Sequence, residues 1–130
     1  VTVARMHFTG VDDVIRSFEV EAERIERNGD AAVEAGANVL IEAAREEVPV
    51  DTGGLWESIT TTKVSRNERG DRMATVYPDG LNPRGERYAT IANVLEYGRS
   101  DTPPNPWMDR AGEKADDKIS RAMLTELEKD

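Results

Sequence analysis

The sequence predicts an α+β fold: amphipathic helices packed on a small antiparallel sheet, with a long helix closing the chain. Three observations carry that expectation. Apolar residues recur at helical spacing over 11–48 and again over 106–127. Two β-branched runs, Thr60–Ser65 and Met73–Tyr77, flank a polar turn. Between the first helical region and that hairpin, Pro49, Gly53 and Gly54 punctuate the chain. At 130 residues, one domain spanning 1–130 with a modest core is expected.

In chain order, Val1, Val3, Met6 and Phe8 alternate with other residues, with a slip at Ala4. This predicts a short strand that could join the hairpin's sheet at an edge. Thr9 and Gly10 end it. A first helix is expected over about 11–28, with Val11, Val14, Ile15, Phe18, Ala22 and Ile25 on one face. Asp12 and Asp13 sit at its positive end. Asn28-Gly29 reads as a stop and Asp30 as the next N-cap. A second helix over 31–48 carries a stripe of mostly small residues: Ala32, Val33, Gly36, Ala37, Val39, Leu40, Ala43 and Ala44. The two form either an antiparallel pair or one long bent helix, and Gly29 argues for a break.

Pro49 ends that helical region, because it lacks an N–H and pushes Val48 into an extended conformation. Asp51 or Thr52 can cap a new turn with a side-chain oxygen, and Gly53 and Gly54 admit conformations or contacts closed to larger residues. Leu55 and Ile59, four apart, share one face of that turn. Physically this is a chain-reversing joint with apolar anchors. The hairpin follows, then a loop over 78–85. A short helix comes next, with Tyr88, Ile91, Ala92 and Leu95 on one face and Gly98 at its C-cap. Thr102-Pro103-Pro104 must be extended. Asn105 as N-cap and Pro106 at the first helical position start the last helix. Its stripe is Met108, Ala111, Ala115, Ile119, Ala122, Met123 and Leu127. No repeats or low-complexity segments are evident.

Composition narrows the function classes. With 26 acidic and 17 basic residues the formal charge is −9, a poor basis for gripping phosphate backbones. Lys63, Lys114, Lys118 and Lys129 are the only lysines, against thirteen arginines. High Asp and Glu with little Lys suits a protein hydrated in high salt; a GC-rich genome that favours Arg codons explains the Arg bias equally well. No cysteine is present, so disulfide and thiol chemistry are excluded. The lack of cysteine leaves the redox compartment open, though an intracellular origin fits. No signal peptide and no apolar run long enough to span a bilayer is recognised, so no membrane partner is expected.

Short motifs do not add up to catalysis. Asp51-Thr52-Gly53 is the tripeptide of aspartic proteases, whose two carboxylates share one proton, so a short chain would have to dimerise. Such enzymes are almost wholly β, whereas here the motif follows a helical stripe. Arg69-Gly70-Asp71 spells a cell-adhesion tripeptide, yet those residues are what a polar turn selects. His7 is the lone histidine and cannot build a usual zinc site without cysteine. Asp12-Asp13 and Asp116-Asp117 are neighbours on helices and point apart. No nucleophilic triad, phosphate loop or dinucleotide fingerprint is found. The expectation is therefore no enzyme, no metal and no cofactor. Trp56, Tyr97 and Trp107 lie at or beside the joints, either as core or as subunit contacts.

Taken together, the amphipathic helix, Val48-Pro49-Val50-Asp51-Thr52-Gly53 with Leu55 and Ser58-Ile59, the hairpin, Ile91-Ala92-Asn93-Val94-Leu95-Glu96-Tyr97-Gly98, and Pro106-Trp107-Met108 with Arg110-Ala111 resemble one known family. This is the minor tail-component, or neck and tail-completion, family of tailed viruses. The likeness runs from about residue 8 to about residue 127. It departs at Gly54 and Trp56, where members often carry basic or polar residues, and in the longer 77–86 linker.

The resemblance implies a structural virion protein at the head–tail junction, assembled in the host cytoplasm. It implies a ring of six or twelve copies, contacts with neighbouring neck, portal-side and tail proteins, and genomic DNA passing without specific binding. Its interface candidates are Pro49, Asp51, Thr52, Gly53, Leu55, Trp56, Glu96, Tyr97, Gly98, Pro104, Pro106 and Trp107. A tail terminator or head-closure ring protein is the near alternative. A small dimeric aspartic hydrolase using Asp51 is the alternative of another class. The acidic, Lys-poor composition would suit a virus of a halophilic archaeon.

Overall fold

A computed structural model describes residues 11–49 and 53–130, and the side chains of all of these but residues 11–14. The expected N-terminal strand, Asp51 and Thr52 lie outside the described residues. The chain is α+β. Its elements are α1 (Val11–Glu47), α2 (Gly54–Ser58), β1 (Ile59–Thr61), β2 (Ser65–Arg66), β3 (Arg72–Met73), β4 (Val76–Pro78), α3 (Tyr88–Tyr97) and α4 (Trp107–Leu127).

The stop expected at Asn28-Gly29 does not operate: α1 is one helix of 37 residues. Both residues have tertiary uses that outweigh their local preference. The Arg72 guanidinium, reaching over from the hairpin, lies against Gly29, where a Cβ would come within 2.5 Å of it. There it donates to Asp30 Oδ1 at 2.9 Å and to the Glu26 carbonyl at 3.2 Å. Asn28 donates its amide to the Leu127 and Lys129 carbonyls, satisfying acceptors that the end of α4 leaves open.

α4 runs antiparallel to α1. At one end Arg110 and Lys114 pair with Glu47; at the other, Asn28 meets residues 127–129. Between them Gly36 receives the Met123 and Ile119 side chains. The small-residue stripe explains the close approach, since Ala32, Ala37 and Ala44 are buried on α1, and Ala111 and Ala115 on α4. The core cluster is Ala44, Val48, Ile59, Ala92, Trp107 and Ala111, with Ile41, Leu55, Val76, Leu95 and Met108 packed around it.

The hairpin is present in two pieces. β1 pairs antiparallel with β4 through Thr60↔Tyr77, and β2 pairs with β3 through Ser65↔Met73. Between the pieces three residues, 62–64, face two, 74–75, so the ladder is bulged. The Thr62 hydroxyl accepts the Thr75 N–H at 2.9 Å and bridges the gap.

A local recurrence escapes the sequence reading. Asn67-Glu68-Arg69-Gly70-Asp71 and Asn82-Pro83-Arg84-Gly85-Glu86 form the same turn. In each, the Asn Oδ1 accepts two backbone N–H groups, from Arg69 and Asp71 or from Arg84 and Glu86, all at 2.9 Å. Each glycine has a positive φ, 84° and 82°, as a three-residue hairpin loop requires.

Glu47 gives the helix pair a pH dependence. Hydrogen bonds from Lys114 and then Arg110 hold its carboxyl below the ordinary value of 4.5, against the opposing effect of desolvation. A lowered folded pKa stabilises the protein above the unfolded value, and that stabilisation is lost as pH falls through the folded one. Glu47→Gln is expected to flatten the loss of stability below about pH 4.5, read as the urea midpoint on acidification.

Candidate functional site

Those of the residues singled out by sequence that the structure describes fall into two corners on either side of α3. The first is the joint after α1. Val48 is buried and donates its N–H to Ala44 at 2.9 Å, so the helix closes before Pro49. The cap position of α2 falls on Gly53, with φ 86° and no side-chain cap bond, one residue beyond the two expected caps. α2 ends at Ser58, so Ile59 opens β1 instead of sharing a helical face with Leu55. Both still reach the core, with Ile59 buried in it and Leu55 packed against it.

Gly54 makes room for a neighbour: a Cβ there would collide with the Tyr88 hydroxyl, so a larger residue requires the Tyr88 ring to move. Trp56 stays partly exposed, and the Arg45 guanidinium stacks 4.7 Å from its ring centroid. Arg45 also donates to the Trp56 carbonyl at 3.3 Å and the Ile59 carbonyl at 3.0 Å. It adds a polar tie from α1 to both ends of the segment Trp56–Ile59, beside the apolar packing of Leu55 and Ile59. Sequence reasoning missed it because a basic residue in a helix's last turn already has a local reason to be there. Pro49, Gly53 and Leu55 line a hollow of about 470 Å³ with Tyr88, Ile91 and Leu95.

The second corner is the α3–α4 junction, which gathers Glu96, Tyr97, Gly98, Pro104, Pro106 and Trp107. The expected cap, Asn105, does not cap α4. The helix begins at Trp107, after Pro106, with no side-chain bond from either residue before it. Asn105 instead spans the junction through its backbone, donating to Leu95 O at 2.7 Å and accepting from Trp107 at 2.8 Å.

The cap comes from α3. Glu96 accepts the Met108 N–H at 2.8 Å and the Asp109 N–H at 3.4 Å. A carboxylate outcompetes an amide here because it takes two donors and complements the positive end of the α4 dipole. Glu96→Ala is expected to cost about 1–2 kcal/mol, and Glu96→Gln less, since one acceptor remains. Chemical denaturation of the two variants checks the order.

The three aromatic candidates separate. Trp107 is 1% exposed and belongs to the core, whereas Tyr97 is 78% exposed. A groove of about 870 Å³ runs between β4, α3 and the first half of α4, with Trp107 in its wall and Tyr97 at its lining. Among the described residues no three acidic or histidine side chains converge as metal ligands would. No described helix is long and apolar enough to cross a membrane.

Residues 12–98, which span α1, the joint, the hairpin and α3, match the family model described as "Bacteriophage HK97-gp10, putative tail-component". The chain belongs to the HK97-gp10-like family. The match ends at Gly98, so α4 lies outside it although α4 completes the core. No curated protein and no solved structure matches the chain. Membership makes this a phage tail-type structural component of the virion, working among other tail proteins.

Proposed function

We propose that this HK97-gp10-like protein acts at the neck, joining the portal and head-closure side to the tail as a ring of six or twelve copies around the DNA channel. It acts as a structural protein and not as an enzyme. The observation that carries this reading is the family match over the joint, the hairpin and α3.

Two physical features support it. α4 ends beside Asn28, so the first turns of α1 run on without it, and they expose Ile15, Phe18, Val20 and Ile25. Apolar surface of this kind marks a protein contact. A net charge of −9 would let DNA pass without adhering, since nonspecific binding needs clustered cations.

The test is the solution mass of the purified chain by light scattering, at low and at multimolar salt, with electron microscopy of the product. Particles of six or twelve 14.4 kDa chains enclosing a channel are expected. A monomer at every salt concentration overturns the ring.

A further inference from the structure

We propose that the groove between β4, α3 and α4 receives residues 1–8 of a second copy, added as a strand along the open edge of β4. This deepens the ring reading by naming the contact between neighbours, and it rests on that reading only for the closure of the ring.

The edge comes first. Thr62 donates to the Thr75 carbonyl, and Asp79 donates to the Ser58 carbonyl. Alternation along an antiparallel pair then turns residues 75, 77 and 79 toward β1, and Val76 and Pro78 away from it. Val76 and Pro78 line the groove. Pro78 has no N–H, so this edge offers one donor and two acceptors, which suits a short added strand. The opposite wall holds Trp107, whose indole N–H is buried without an acceptor among the described residues.

Charge selects the occupant. Glu96, Asp109, Glu113 and Asp116 line the groove. In a chain of net charge −9, residues 1–11 contain no acid and carry Arg5 and His7. Val1, Val3, Met6 and Phe8 supply apolar side chains for the floor at Ala92 and Gly112, and Tyr97 stands exposed beside it.

Reach makes the contact intermolecular. The groove's α4 residues end at Asp116, and Gly36 packs on Ile119 and Met123 further along α4. The groove therefore lies beyond Gly36, toward Glu47, which pairs with Arg110. At 1.5 Å per residue, Val11 is about 38 Å from Gly36 and about 54 Å from Glu47. Ten extended residues span at most about 36 Å. A chain's own N-terminal segment falls short of its own groove, whereas a neighbour's has no such limit. Segment and groove are different surfaces, so the contact is head-to-tail and propagates from copy to copy.

Because the chain has no cysteine, single introduced thiols report the contact. Full-length Val3→Cys and Glu113→Cys chains are mixed and oxidised, with Val3→Cys and Glu42→Cys as the control pair. The first pair should give at least roughly tenfold more linked dimer than the control. Adding Met6→Asp and Phe8→Asp to the Val3→Cys chain should remove the link and lower the light-scattering mass, with the helical circular dichroism unchanged.

An assembly whose mass ignores Met6→Asp and Phe8→Asp, or equal linking by both pairs, overturns the strand contact and leaves the ring reading standing. A specific link in particles that never close supports the strand contact and overturns the ring. A monomer that forms no link overturns both.

Discussion

Gly98→Ala should unfold about 10 °C below the parent protein. Gly98 closes α3 by donating its N–H to Val94 O at 2.8 Å, and its backbone angles are φ 73° and ψ −179°. That region belongs almost solely to glycine, and a side chain there costs on the order of 1–3 kcal/mol. Space is a second penalty. A Cβ would sit 2.7 Å from the Thr102 carbonyl oxygen and 2.8 Å from the Pro104 nitrogen.

Both obstacles are backbone atoms, one in the tight turn where Arg99 and Thr102 exchange hydrogen bonds and one two residues beyond it, so no side-chain rotation relieves them. Together the two effects should cost about 3 kcal/mol or more. Thermal unfolding of the variant reads it directly. Gly29 gives the contrast: there a Cβ would meet only the end of the Arg72 side chain, which can swing aside at the expense of its contacts with Glu26 and Asp30.

That contrast also explains which parts of the structure were legible in the sequence. Signals that act within a few residues held. Gly98 caps α3, the hairpin arms bracket a polar turn, and Pro49 follows the end of α1. Signals open to a distant competitor failed. Asn28-Gly29 would end an isolated helix, but Arg72 and the end of α4 use both residues where they stand. Asn105 is a good cap by type, yet the N–H groups at the start of α4, on Met108 and Asp109, are taken by the Glu96 carboxylate from α3.

The candidate site was legible as a list of residues but not as a surface. Trp56, Tyr97 and Trp107 carry the same apolar signal, and only packing decides that Trp107 faces Ala44, Ala92 and Ala111 while Tyr97 faces outward. The groove depends on that sorting, since Trp107 lines its wall and Tyr97 remains available beside it.

Trp107→Ala should cost about 3–5 kcal/mol, and Trp107→Phe much less. Trp107 and Ile59 are the largest fully buried side chains among the described residues. Around Trp107 the cluster is built from alanines, with Ala44 of α1, Ala92 of α3 and Ala111 of α4 each 5% exposed or less. Helices that already meet through alanine have little side chain with which to refill a vacated indole volume. The cavity therefore persists, and the cost lies at the high end for a large-to-small change. Phenylalanine leaves a smaller void. It also deletes an indole N–H that has no acceptor among the described residues, so no hydrogen bond to them is lost and an unmet desolvation cost of about 1–3 kcal/mol is removed. Urea midpoints of the two variants test the argument: if Phe proved as costly as Ala, the indole N–H would have to be bonded in the folded protein.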